Sequence, residues 1–148
     1  MADLVPAGSS VADIGTGDGR LAAWLAERGH RVVATEKGPG PWAVARRFLD
    51  PLGIECRLGE GLQPIQPGEF EIAVIAGMGG RSIARILAAS PGVVGALAGL
   101  VLQPIQHGEE LAAGLAGAGY RLLRREAIEQ GSHRYTALFL LPPYSTAP

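Results

Sequence analysis

Seven residues near the start of the chain, DIGTGDG (residues 13–19), combine two aspartates with three alternate glycines. The stretch stands between a short apolar run, VADI, and RLAAWLAERG, whose apolar residues have helical spacing. Glycines let such a loop turn tightly and approach a ligand, and the free amides at the helix start then face that ligand. Glu36 ends the next apolar run, 21 residues after Gly15, where a carboxylate can accept both ribose hydroxyls. The spacing therefore predicts a site for a nucleoside cofactor.

Two classes of cofactor fit this loop, and the residues around the glycines favour one of them. A dinucleotide site has a third glycine where this chain has Arg20, and an aspartate such as Asp13 is unusual before its glycines. An acidic residue there suits S-adenosylmethionine (SAM), which carries an ammonium and a sulfonium group. We therefore expect SAM, with a nicotinamide or flavin cofactor, or a purely structural turn, as the alternatives. The predicted cofactor-binding residues are Asp13, Gly15, Thr16, Gly17, Gly19, Glu36, Lys37, Glu60, Gly61, Leu62 and Ala76.

The segment GEGL, which follows the third apolar run, is expected to lie against the adenine ring of the cofactor. Glu60 could accept a hydrogen bond from the adenine amino group, while Gly61 or Leu62 could offer a backbone donor and an apolar wall. The alternative interpretation of this segment is a solvated turn.

The stretch IAGMGG (residues 75–80) places three glycines directly after a fourth buried strand. In a doubly wound sheet, the first and fourth strands end side by side at the ligand-binding edge. Small residues there would leave a channel to the substrate, and no side chain at the strand end could hold an exocyclic amino group. A ring nitrogen that carries its own lone pair would not need to be held by such a side chain. The predicted catalytic residues are Gly77, Met78, Gly79 and Gly80, and the predicted substrate-binding residues are Arg81, Gln103 and Pro104.

Strand-like and helix-like runs alternate along the chain, and their order predicts the elements that position these residues. Five strands, near residues 11–14, 31–36, 54–58, 70–77 and 100–103, are separated by helical runs or loops. Two further strand-like runs, joined by Gly131 and Ser132, leave no room for a crossover helix and predict an antiparallel hairpin. We predict an α/β fold, Rossmann-like and doubly wound, with a mostly parallel seven-stranded sheet and a C-terminal antiparallel hairpin. We expect residues 1–148 to form a single domain.

Composition sets limits on partners and location. The 13 basic and 14 acidic residues give a net charge of −1, so a nucleic-acid partner would need a local basic patch. Cys56 is the only cysteine and is expected to be a buried apolar residue, which fits a cytoplasmic protein. No apolar run has the length of a membrane span, and no histidine has metal-ligand spacing. We expect no membrane or metal partner, and a homodimer if an apolar face near the N-terminus stays open.

Several segments of the chain resemble, in order and spacing, the bacterial tRNA adenine-N1 methyltransferases of the TrmK type. The segments are VADIGTGDGRL, EKGPGPWAVARR, GEGL, IAGMGG, LVLQPI and REAIEQGSHRYTALFLL, and the resemblance spans about residues 4–141. It implies methyl transfer from SAM to N1 of an adenine in the D-arm of tRNA. The reaction would be an in-line displacement in which the protein aligns the reactants and excludes water, without a strong general base.

The chain departs from the pattern of that family in three places. Gly17 and Asp18 stand where the family usually has Asp-His, and Ile105 stands where an asparagine usually follows LQP. The chain also ends at Pro148, without the C-terminal helical domain that helps family members to hold tRNA. Two alternatives therefore stay open: a SAM-dependent methyltransferase of a small molecule or a protein, and a SAM-binding remnant without tRNA activity.

Overall fold

The computed structural model describes residues 1–143, and its centre is a seven-stranded sheet. The strands lie in the order β3-β2-β1-β4-β5-β7-β6, with β1 to β5 parallel and the last two strands antiparallel. The predicted α/β fold and C-terminal hairpin are confirmed. The strands are β1 (Ser10–Ile14), β2 (Arg31–Glu36), β3 (Glu55–Leu58), β4 (Ile72–Met78), β5 (Gly99–Pro104), β6 (Arg121–Gln130) and β7 (His133–Leu141).

Five α-helices connect and cover the strands in the described part of the chain. They are α1 (Arg20–Glu27), α2 (Pro39–Leu49), α3 (Gly80–Ala89), α4 (Pro91–Gly95) and α5 (Gly108–Gly117). Helix α2 begins at Pro39, earlier than the sequence suggested, because proline lacks the N–H that a first helical position leaves unpaired. The short helix α4 was not predicted; it begins at Pro91, where α3 has ended.

The helices cover both faces of the sheet, as a doubly wound fold requires. Helices α3, α4 and α5 bury Ile83, Val94 and Leu111 on one face. Helices α1 and α2 bury Leu25 and Leu49 on the other face, although in two separate clusters. Parallel strands covered on both faces are almost wholly apolar, and this explains the apolar runs in β4 and β5.

The N-terminal segment packs on the face that carries α1. Leu4 and Val5 are buried there, and the Met1 ammonium lies 3.1 Å from a carboxylate oxygen of Glu126. This segment covers part of the face that the sequence left open, and the homodimer stays a prediction. Within residues 1–143, no helix has the length and apolar character needed to cross a membrane.

Candidate active site

The loop that joins β1 to α1 is held against the end of β2. The amide of Thr16 donates to the carbonyl of Thr35 at 2.8 Å, and the amide of Gly15 donates to the Thr35 hydroxyl at 3.3 Å. Gly15, Gly17 and Gly19 have φ angles of +68°, +62° and +87°, which glycine adopts without strain. The alternate glycines therefore allow the loop to fold over the carboxyl ends of two strands.

Two of these glycines also lie where a side chain would collide with a neighbour. A Cβ atom at Gly15 would lie 2.2 Å from Cε of Met78, and one at Gly19 would lie 2.9 Å from Cγ of Leu49. Met78 comes from β4, so its side chain spans the switch point between β1 and β4 and rests on the glycine loop. The two stretches that the sequence singled out, DIGTGDG and IAGMGG, are therefore in contact.

Asp13 supports this loop from inside the protein. Its side chain is 2% exposed, and its Oδ2 accepts a hydrogen bond from the Thr16 hydroxyl at 2.8 Å. The pKa of Asp13 is raised from 3.8 to about 6, chiefly because the carboxyl is buried. The hydrogen bond from Thr16 opposes this increase, and the negative charges of Glu36 and Asp18 add to it. Asp13 therefore contacts the glycine loop through Thr16 and does not line the cleft.

Replacing Asp13 with asparagine should remove a pH-dependent term from the stability of the protein. Because the pKa of Asp13 is raised in the folded protein, the protonated carboxyl contributes to the free energy of unfolding. This contribution is fully present below about pH 4 and is lost as the pH rises through about 6. A shift of about two units corresponds to about 3 kcal/mol. From pH 4 to pH 7, the wild type should lose up to about 3 kcal/mol of its free energy of unfolding relative to Asp13→Asn. Denaturant unfolding at the two pH values measures this difference.

The control for this experiment is Asp18→Asn, which removes the same charge from an exposed side chain in the same loop. It should keep most of the wild-type dependence on pH, because the charge of Asp18 is the smallest contribution to the Asp13 shift. Equal slopes for wild type and Asp13→Asn would show that Asp13 is ionised in the folded protein throughout this range.

Glu36 lies at the carboxyl end of β2 with both carboxylate oxygens held by backbone amides. Its Oε2 accepts from Gly17 at 2.9 Å, and its Oε1 accepts from Lys37 at 3.3 Å. The Glu36 carbonyl accepts from Gly59 at 2.9 Å and thereby joins the end of β2 to the segment after β3. The carboxylate is thus oriented before any ligand binds, and its remaining acceptor sites are available to hydroxyl groups.

A cleft of about 400 Å³ opens beside Glu36, between the glycine loop, the segment after β3 and helix α3. This volume lies within the range of small-molecule and cofactor sites. Several residues predicted from the sequence line the cleft: Gly15, Glu36, Lys37, Glu60, Gly61, Leu62, Gly77, Met78 and Gly79. The structure therefore brings together residues from four separate parts of the chain at the end of the sheet where doubly wound proteins bind ligands.

Other predicted residues lie outside the lining of this cleft. Asp13 and Thr16 are buried beneath it, and Gln103 is 7% exposed within β5. Arg81 pairs with Glu110, with Nε and Oε2 3.1 Å apart, and so faces α5. The remaining predicted residues that do not line the cleft are Gly17, Gly19, Ala76, Gly80 and Pro104. The roles that the sequence assigned to all of these residues stay predictions.

Helix α3 forms one wall of the cleft, which the sequence analysis missed. Ser82, Arg85, Ile86 and Ala89 line it, and their spacing of three, four and seven residues places them on one face of a helix. That spacing was the available signal, since the helix begins directly after the glycine turn. The cleft is also lined by Gly59, Gln63, Ser90 and Ile105.

An ion pair between two partly buried side chains, Arg57 and Glu69, supports the segment after β3. Both guanidinium Nη atoms of Arg57 donate to the carboxylate of Glu69, and Nη1 also donates to the Pro64 carbonyl at 2.9 Å. The hydrogen bonds from Arg57 lower the pKa of Glu69 to about 2, so the pair stays charged at neutral pH. On the cleft side, a Cβ atom at Gly61 would lie 3.0 Å from Cγ2 of Ile86 in α3.

The turn after β4 is joined to the neighbouring turn after β5. Gly77 has a φ of +79° and is the extra residue of a bulge, since Ala76 pairs with Gln103 and Met78 with the next residue, Pro104. The amide of Gly80 donates to the Gln106 carbonyl at 2.7 Å. The glycines of IAGMGG therefore serve different purposes: one makes the bulge and another allows two backbones to meet.

The remaining titratable groups give no sign of a metal centre or of a reactive thiol in the described part of the chain. Within residues 1–143, no cluster of three or more His, Cys, Asp or Glu side chains is arranged to hold a metal ion. Cys56 is buried, and burial raises the pKa of its thiol to about 11, which agrees with a packing role. The cleft has acidic groups at one end and glycines at the other, and this suits binding a nucleoside cofactor and a second reactant.

A glycine loop, a strand-end carboxylate and a cleft at the switch point define a Rossmann-like protein that binds a nucleoside cofactor. The family described as Methyltransferase domain matches residues 1–138. The chain therefore belongs to the methyltransferase domain family, and the predicted resemblance to methyltransferases is confirmed.

Particular relatives add detail. The tRNA (adenine(22)-N(1))-methyltransferase of Bacillus subtilis is 37% identical over 95 residues, which are 60% of this chain and 40% of the relative. The protein-L-isoaspartate O-methyltransferase of Chlorobaculum tepidum is 48% identical over 63 residues, or 41% of this chain and 29% of the relative. The matched regions thus span less than half of each curated relative.

A solved structure resembles the whole described fold. Sp1610 of Streptococcus pneumoniae, described as a candidate tRNA (m1A22) methyltransferase and solved in complex with S-adenosyl-L-methionine, superposes with a TM-score of 0.89. It is 28% identical, and the match covers 99% of this chain and 72% of that one. The likeness includes all seven strands, since it leaves almost no part of this chain uncovered.

Proposed function

We propose that the chain binds SAM in the cleft beside Glu36 and transfers its methyl group to N1 of an adenine in tRNA. The observation that carries this proposal is the meeting of DIGTGDG, Glu36 and IAGMGG at one end of the sheet. Support for the substrate comes from the Bacillus subtilis relative, whose name specifies N1 of adenine 22.

The residues present fit the cofactor. Glu36 is oriented to accept the ribose hydroxyls, and Gly61 and Leu62 offer a backbone and an apolar wall to the adenine ring. The φ of +68° and the contact with Met78 leave no room for a side chain at Gly15. Because glycine has none, the backbone of the loop can come close to the cofactor. When bound, SAM supplies a methyl group on a sulfonium, and the carboxylates of Glu36 and Glu60, which line the cleft, favour its positive charges.

The substrate side of the cleft is made by small residues. Gly77 and Gly79 leave open space where side chains would otherwise stand, and Ile105 adds an exposed apolar surface at the rim. N1 of adenine carries a lone pair, so the protein needs to align it and exclude water rather than remove a proton. An adenine in a stacked stem would have to be turned out to reach this depth.

Incubating the protein with labelled SAM and unmodified tRNA should yield N1-methyladenine at one position. The methylated position is mapped by primer extension, because a methyl group at N1 blocks base pairing. A transcript with guanosine at that position serves as the control and should accept no label. Binding of SAM without any label in tRNA would contradict the proposed substrate and would leave the cofactor assignment standing.

A second candidate function is methylation of a protein carboxylate. The Chlorobaculum tepidum relative, a protein-L-isoaspartate O-methyltransferase, is the specific observation that favours it. An isoaspartyl peptide in the same labelling assay separates the two candidates, since the resulting ester is lost in mild base and N1-methyladenine does not leave RNA as methanol. A chain that binds SAM and labels neither acceptor would be the cofactor-binding remnant.

The tRNA proposal has consequences for location and organisation. A tRNA substrate implies a cytoplasmic enzyme. Residues 1–148 are proposed to act as one methyltransferase domain, and the contacts to tRNA within this chain then come from surfaces next to the cleft.

A further inference from the structure

A second cleft, of about 270 Å³, lies next to the proposed active site on the other side of Ile105. It is formed by the segment after β5 together with the first turn of α5 and by the hairpin of β6 and β7. Ile105 lines both clefts and is 43% exposed. The two clefts are therefore separated by the width of one side chain.

Two arginines reach the second cleft from the hairpin. Arg125 pairs in register with Leu138, and Arg134 lies four residues before Leu138 on β7, so all three share one face of the sheet. Arg134 makes no ion pair with any residue between 1 and 143. Nη1 of Arg125 lies 3.3 Å from Oε1 of Glu109, whose side chain is 90% exposed. Exposed ion pairs are weak, so Arg125 can readily bind another anion in place of Glu109.

The charge of the hairpin differs from that of the chain as a whole. Residues 121–141 contain four arginines and two glutamates, a net charge of +2, whereas the chain has −1. Glu109 is the carboxylate that lines the second cleft with Arg125 and Arg134, and Glu129 lies opposite Arg134 in register on β6. Glu110 is engaged by Arg81 and His107. The hairpin is thus the basic part of a chain whose net charge is negative, and a nucleic-acid backbone would be attracted to that part.

The backbone beside this cleft has an unusual conformation. His107 is the only non-glycine residue between 1 and 143 with a positive φ, +55°. Residues held in such sparsely populated conformations concentrate at ligand sites. The strained residue places the start of α5 opposite the arginines of the hairpin.

We infer that the second cleft binds a phosphodiester of the RNA strand next to the target nucleotide, through Arg134 and Arg125. This inference rests on the proposed function, because it gives the tRNA backbone its place on this chain. A base in the first cleft would lie against Ile105, and its neighbouring phosphate would lie across that side chain. Phosphate contacts of this kind fix the register of a strand whose base has been turned out.

The test compares Arg134→Gln with Arg124→Gln in the tRNA labelling assay and in tRNA binding at several salt concentrations. Arg124 is on β6, the other strand of the same hairpin, and is exposed, but it pairs with Phe139 and so lies on the opposite face of the sheet. Arg134→Gln should raise the KM for tRNA about tenfold and should lower the slope of log Kd against log salt by about 1. Arg124→Gln should leave both values near those of the wild type.

Affinity for SAM and the melting temperature are measured for each variant and should be unchanged. Equal KM values and salt slopes for the two variants and an active wild type would overturn this inference alone. A wild type that binds SAM but neither binds nor methylates tRNA would overturn the proposed substrate and this inference with it. A change in SAM affinity in Arg134→Gln would instead place the arginine in the cofactor cleft and would also overturn it.

Discussion

Gly80→Ala should lower the free energy of unfolding by about 2 kcal/mol or more. A Cβ atom at this position would lie 2.5 Å from the carbonyl oxygen of His107 and 3.0 Å from that of Gln106. Both contacts are with backbone atoms, so no change of side-chain rotamer can relieve them. Alanine is a better helix former than glycine by about 1 kcal/mol. The energetic cost of the collision should exceed this gain, because the collision also displaces the Gln106 carbonyl that accepts a hydrogen bond from the Gly80 amide.

The matched control is Gly79→Ala, one residue earlier. Gly79 has a φ of −65° and no atom within 4 Å of the position of a Cβ, so alanine should change stability by less than about 1 kcal/mol. For a chain of this size, thermal unfolding should separate the variants by roughly 4–8 °C. Equal melting temperatures would show that the turn after β5 can move away from α3 without loss.

Glu36→Gln should weaken SAM binding by about 10- to 100-fold. Hydrogen bonds to a charged group contribute about 1.5–3 kcal/mol, and glutamine keeps one acceptor while it loses the charge and the second acceptor. The loop should stay in place, because the glutamine oxygen can still accept from the Gly17 amide. Calorimetric titration with SAM measures the change, and unfolding measurements verify that stability is retained.

Glu27→Gln provides the control for this experiment. Glu27 ends α1 and is exposed, so the variant removes an equal charge at a distance from the cleft. It should bind SAM as the wild type does. If Glu36→Gln also binds with wild-type affinity, the strand-end carboxylate does not hold the ribose, and the orientation proposed for the cofactor is wrong.

Much of the cleft could be predicted because its signals are local. Glycines at positions 15, 17 and 19, an acid at the end of the second strand and a glycine turn after the fourth are all visible as short patterns. Their assembly follows from the alternation of strands and helices, since parallel strands bring their carboxyl ends to one edge. Glu36 and Gly77 were placed in the cleft in this way.

Other parts of the site depend on contacts between distant residues and could not be predicted. Arg81 pairs with Glu110, 29 positions later in the chain, which no local pattern indicates, and its expected contact with the substrate stays a prediction. The wall made by α3 was missed although its helical spacing was visible, because the spacing does not say which face of the helix meets the cleft. The second cleft was missed because it needs β7 to lie between β5 and β6.

Short sequence patterns predicted the class of fold, the position of the ligand-binding edge and the type of cofactor, because periodicity, glycine and charge act over short stretches. The purpose of each glycine becomes visible only from contacts between distant parts of the folded chain. Gly15 makes room for Met78, Gly77 forms a bulge and Gly80 admits the backbone of His107. A glycine has no side chain to indicate its partner, so its purpose is visible only when the atoms that occupy the vacant space are known.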